Sequence, residues 1–174
     1  MKKHNGMRPL DIVILLKIIA KRNSNWLNKD LAHELGISSS EVSESLNRSW
    51  LAGFLDETKK KLFRNALLEF LCHGLKYVFP QKPGELVKGM PTAHSAPIAS
   101  STFHSDEPYV WPYPQGTVRG QAIEPLYPTV PKAVEQDAYL YELLALCDMV
   151  RVGRTREVKF ATEKLSELVK GLKV

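Results

Sequence analysis

Between Trp26 and Phe63 the chain gathers side chains suited to reading a polyanion. Ser38, Ser39, Ser40 and Ser43 supply hydroxyls, Asn47 a carboxamide, Arg48 a guanidinium, and Lys59, Lys60 and Lys61 three consecutive ammonium groups. A carboxamide can pair with adenine and a guanidinium with guanine, each good bidentate contact being worth about 1–3 kcal/mol. Serine hydroxyls and the free amides of a helix start can hold a phosphate. Lysines neutralise phosphates, and each such contact steepens the fall of affinity with salt. Glu41 and Glu44 lie in the same stretch and repel phosphates. Glu41 serves the helix cap; Glu44 would either accept from a cytosine amine or mark a helix that stays out of DNA.

To present these groups together, the stretch must fold as two helices and a hairpin. Leu27 to Leu35 reads as a short helix that Gly36 ends. Ala32 is small enough for a second helix to come close, and Ile37 plugs the angle between them. Ser38 with Glu41 makes a capping box that starts a helix running to Ala52. Val42 and Leu46, four apart, bury one side of it, leaving Ser39, Ser40, Ser43, Glu44, Asn47 and Arg48 outward or flanking. Ser49 stands where an apolar core residue is expected, with Trp50 or Leu51 to compensate. Gly53 ends the helix, Phe54-Leu55 and Leu62-Phe63 can pair as strands, and the three lysines sit at the tip.

The segment LAHELGISSSEVSESL followed by LAGFL resembles the winged helix-turn-helix of bacterial transcriptional regulators, MarR-like proteins especially. The resemblance covers residues 1–80. It implies a helix that enters the major groove, a lysine-rich wing on the DNA backbone, and dimers on half-sites about one turn apart. The whole chain is similar to uncharacterised bacterial regulator-like proteins that share a proline-rich middle and a helical tail.

The flanks are helical in pattern. Leu10, Val13, Ile14, Leu16 and Ile18 predict an apolar first helix with Pro9 near its favoured first position. Asn65 to Val78 predicts a fourth helix; Asp137 to Val150 and Thr155 to Leu172 predict a terminal pair turned at Gly153. Ten of the eleven prolines fall between Pro80 and Pro131, which argues against long helices there. Phe103, Tyr109, Trp111, Tyr113 and Tyr127 are too many aromatics for a floppy linker. An extended segment that lays them on a folded surface is expected. The fold class is thus expected to be mainly α. Its parts would be a winged helix-turn-helix over 1–80, a proline-rich extended segment over 81–136, and a C-terminal helical hairpin over 137–174 for dimerisation or partner binding.

Composition narrows the function classes. The 174 residues are 44% hydrophobic and 25% charged, too apolar for wholesale disorder. Net charge is +5, and all of the excess lies in residues 1–80, with 13 Lys/Arg against 8 Asp/Glu; residues 81–174 hold 11 of each. The first half is therefore the part expected to face a polyanion. The longest apolar run, Ile12 to Leu16, is too short to span a bilayer, and no signal-peptide cleavage pattern follows it. With only Cys72 and Cys147 present, a cytoplasmic protein is expected.

No feature predicts catalysis, a cofactor or a metal. His4, His33, His73, His94 and His104 form no HExxH pair, and Cys72-His73 are sequential rather than at zinc spacing. Gly116 to Gly120 lacks the lysine of a phosphate loop, and no serine lies in a nucleophile elbow. Arg151, Arg154 and Arg156 cluster at the last turn, as a solvated helix end or a second contact for DNA or an acidic partner.

The expected function is sequence-specific binding of double-stranded DNA by a homodimeric transcriptional regulator, a repressor. Ser38, Ser39, Ser40, Ser43, Glu44, Asn47 and Arg48 would meet the groove, and Lys59, Lys60 and Lys61 the backbone. The alternative is a protein-interaction module, antitoxin-like or an assembly subunit, whose C-terminal half holds the partner and whose DNA binding is absent or autoregulatory.

Overall fold

Two deeply buried helices organise the molecule. The computed structural model, which describes residues 5–22 and 25–171, is mainly helical with a small three-stranded sheet. Helix α1 (Pro9–Lys21) has proline in its first turn, and its Asp11 carboxylate accepts from the Arg8 amide at 2.7 Å. Every residue from Leu10 to Ile19 is buried. A helix whose only buried polar groups are the ion-paired Asp11 and Lys17 must be covered all round. Its main neighbours are α2 (Asn28–Leu35), α3 (Ser39–Leu51) and, from the far end of the chain, α8 (Ala138–Val152). Helix α8 is as deeply buried, from Leu143 to Val150 without a break.

A tight hairpin joined by the single bridge Leu55–Leu62 follows α3 and leads to α4 (Arg64–His73) and α5 (Leu75–Val78). The expected single helix over 65–78 is thus broken at Gly74. The terminal pair forms as expected, α8 turning at Gly153 into α9 (Thr155–Lys170), which packs on α8 and α4. Leu172 lies outside the described residues.

The proline-rich stretch is folded rather than merely extended. It holds β1 (Leu86–Pro91), a 3-10 turn (Ala93–Ser95), α6 (Pro97–Ser100), β2 (Tyr109–Pro112), β3 (Val118–Ala122) and α7 (Val130–Val134). Strand β1 runs antiparallel to both others, and β2 and β3 pair in parallel, so the three strands close on themselves. Gly89 faces both Pro112 and Val118. A Cβ on Gly89 would come 2.0 Å from the Trp111 carbonyl oxygen, so only glycine fits the crossing. The prolines occupy strand ends (Pro91, Pro112) and helix starts (Pro97, Pro131), where a missing N–H does no harm.

The aromatics do land on a folded surface. Trp111 is buried and its indole N–H donates to Asp148 of α8 at 2.6 Å; Phe103 meets Phe160 of α9 edge-on at 5.3 Å. One cluster of buried side chains includes Leu16, Leu46, Trp111, Leu144 and Leu165. The expected boundaries at 80 and 136 therefore fall inside one packed unit.

Candidate nucleic-acid interface

The turn between α2 and α3 is fixed by Gly36 at φ +66°, a left-handed position that favours glycine. Ser38 then caps α3. Its hydroxyl accepts from the Glu41 amide at 3.1 Å, while the Glu41 carboxylate takes the Ser38 amide at 2.9 Å. Those hydrogen bonds from Ser38, with a further one from the Tyr127 hydroxyl at 3.2 Å, hold the Glu41 carboxyl below its usual range. Ser38 is thus spent on the cap, and Ser39 and Ser40 are the exposed hydroxyls of the first turn.

Val42 and Leu46 are buried as their spacing requires, and Ile37 packs against the same core. Ser39, Ser40, Ser43, Glu44 and Asn47 all remain exposed. Arg48 is the correction. Its guanidinium turns inward and forks onto Asp11 of α1, with N–O distances of 2.9 and 2.8 Å, and its side chain is 11% exposed. Paired in this way, the guanidinium is committed to α1 and not free to fork onto a base. Ser49 is buried too, whereas Trp50 and Leu51 are exposed, so neither of those two fills the position expected to be apolar.

The hairpin tip is preorganised by Asp56. Its carboxylate accepts from the Thr58 hydroxyl and from the amides of Lys60 and Lys61. Lys59 adopts φ +59° and reaches back to α3, its ammonium donating to the Asn47 carboxamide oxygen at 3.2 Å. Lys61 is exposed. Lys60 points elsewhere. Its ammonium donates to the Trp26 carbonyl at 2.7 Å and lies 3.8 Å from the centre of that indole ring. It fastens the hairpin to the body, so its ammonium is already engaged although the residue is exposed.

Two residues join the surface that the spacing did not reveal. Arg8, exposed just before α1, lines a groove of about 300 Å³ with Asn5, Ser43, Glu44, Asn47 and Lys59, and Arg48 borders it from within. Trp50, 38% exposed, carries Lys59 over its ring at 5.7 Å. A cation directly before a helix-starting proline was the available signal for Arg8. Nothing local distinguished Trp50 from a core residue.

No family model, curated protein or solved structure matches the chain. The chemistry of this surface is therefore what speaks for its function. Three further placements complete it. Arg151 is held by Asp148 at 2.9 Å and by the Phe79 carbonyl, whereas Arg154 and Arg156 stay exposed. Cys147 is buried and Cys72 half-buried, and burial pushes both thiols up, away from reactivity. His4 lies outside the described residues, and among those described no three His, Cys, Asp or Glu side chains converge on a metal-sized site. Among the described residues no helix is long and apolar enough to cross a membrane.

Proposed function

We propose that this protein is a sequence-specific DNA-binding transcriptional regulator, a cytoplasmic homodimeric repressor built on a winged helix-turn-helix. One observation carries the reading. The polar face of α3 is left uncovered by the rest of the fold, and the lysine hairpin folds back so that Lys59 meets Asn47 on that face. A groove-reading side chain and a phosphate-neutralising one are thereby set side by side, as direct readout beside the backbone requires. Ser39, Ser40, Ser43 and Asn47 face the bases or adjoining phosphates, Glu44 accepts from a cytosine amine, and Lys59, Lys61 and Arg8 grip the backbone. No catalytic role is assigned to any residue.

The test is titration of the purified protein with its own upstream DNA and with a scrambled duplex across a salt series. Preference for the upstream fragment with a steep salt dependence supports the reading; equal, weak binding to both refutes it. Light scattering of the protein alone and on DNA tests the dimer. A second reading draws on Trp50 and Leu51, 38% and 51% exposed at the end of α3. Apolar groups bared beside Glu44 suit a protein partner, as in an antitoxin or assembly subunit. Such a module would be indifferent to Asn47→Ala on DNA.

A further inference from the structure

We propose that the cleft between the start of α9 and the loop 102–109 binds a small aromatic molecule bearing an oxyanion, a carboxylate or a phosphate. The cleft lies apart from the face of α3, and the inference stands whether or not that face reads DNA.

Its size fits such a ligand. The cavity measures about 650 Å³ and shares His94, Phe103, His104 and Ser105 with a second of about 370 Å³. Ligand pockets span roughly 300–1,000 Å³.

Both signs of charge line it. Arg154 and Arg156 are exposed in the cavity, and neither guanidinium makes a hydrogen bond or ion pair among the described residues. Behind them is the N-terminus of α9, a helix of 16 residues whose dipole favours an anion. The Glu157 carboxylate already takes the Arg154 amide at 2.8 Å. The amides of Thr155 and Arg156 are first-turn donors that no intrahelical carbonyl can reach. Glu107 borders the larger cavity and Asp106 the smaller, and both would accept from a hydroxyl or amine of the ligand. The same acids repel a polyanion, which favours a single oxyanion over a DNA backbone.

The walls between are aromatic. Phe103 lines both cavities, and Tyr109 stands edge-on to His94 at 4.5 Å. Tyr109, Glu157, Arg154 and Glu107 all line the larger cavity.

An independent sign is His94. It is 6% exposed, it borders both cavities, and neither ring nitrogen makes a hydrogen bond. Nδ1 stands 3.4 Å from the Glu157 carboxylate without the alignment of a hydrogen bond. The preceding residue, Ala93, is held at φ +52°, a left-handed conformation that alanine rarely adopts. A buried ring whose nitrogens make no hydrogen bond and whose charged neighbour is Glu157, on strained backbone, at the wall of a polar cavity is the signature of a site set for a ligand.

The experiment is an NMR and calorimetric titration of the full chain at 150 mM salt with adenosine 5′-monophosphate and with 4-hydroxybenzoate. Adenosine, phenol and inorganic phosphate are the controls. The expected result is millimolar or tighter binding of at least one charged aromatic, at least tenfold tighter than its uncharged ring and than phosphate, with the His94 ring protons shifting. Arg154→Ala with Arg156→Ala should weaken it at least tenfold, and Lys159→Ala, a neighbouring exposed cation of α9 outside the cleft, should not. Binding by neither compound, equal binding by adenosine or phenol, or full affinity in the folded double variant would overturn the proposal. Should that variant fail to fold, the His94 shifts and the ring and phosphate controls decide on the parent chain. The phosphate arm and the carboxylate arm tell the two kinds of oxyanion apart.

Discussion

Asn47 and Arg48 are adjacent, yet the 100° step of the helix sends one into solvent and the other onto Asp11. Breaking a buried pair costs about 3–5 kcal/mol, because the surviving charge has no partner. Arg48→Ala is therefore expected to lose roughly that much stability in urea denaturation, whereas Asp11→Leu with Arg48→Met should recover most of it. Asn47→Ala should change stability by less than about 0.5 kcal/mol. It should also erase about 1–3 kcal/mol of preference for the upstream DNA over a scrambled duplex. The inward fate of Arg48 was not legible from α3, because its partner lies 37 residues away on another helix. An acid inside the otherwise apolar run of α1 was the one visible sign.

At the scale of the element, α2, its glycine turn and α3 were readable because every determinant is local: a cap three residues long, a left-handed turn, an i, i+4 apolar pair. The strands were not. Their pairings join Leu86 to Gln121 and Met90 to Trp111, and proline and glycine break the alternation that would announce them. Gly89→Ala should destabilise by about 1–3 kcal/mol or more, read as a drop in Tm, since the added carbon meets backbone. In the hairpin the three lysines should separate by experiment. Lys59→Gln and Lys61→Gln should each lower the salt slope of DNA binding by about one and weaken all sequences alike. Lys60→Gln should instead lower Tm, its loss being that of a cation on the Trp26 ring, about 0.5–2 kcal/mol.

At the scale of the molecule, ion pairs stitch together segments far apart in sequence. Lys17 of α1 meets Glu34 of α2 at 2.7 Å and Asp137, the cap of α8. Burial pulls the Lys17 amine down, but the two carboxylates outweigh it and its pKa is raised. For Glu34 burial pushes up, and hydrogen bonds from Lys17 and Lys21 outweigh it, so its pKa is lowered from 4.5. A depressed carboxyl stabilises the fold above its ordinary value and loses that contribution as pH falls through its folded one. Glu34→Gln should therefore cost up to about 1 kcal/mol at pH 7, its side chain being one-third exposed, with the gap to the parent closing in acid below pH 4.5. Removing residues 81–136 should abolish cooperative unfolding altogether, since Val110, Trp111, Ile123 and Val130 are core.

The burial of α1 against α8 also sets a timetable. Helix α1 is strongly apolar, and α8, one of the helices that cover it, lies about 117 residues downstream, so at 5–20 residues per second that side of α1 waits roughly 6–23 s. During that interval a nascent chain bares the sequence Ile12-Val13-Ile14-Leu15-Leu16 to any chaperone or protease at hand. A message truncated before Ala138 yields a product that never closes, and the cell should clear it rather than accumulate it.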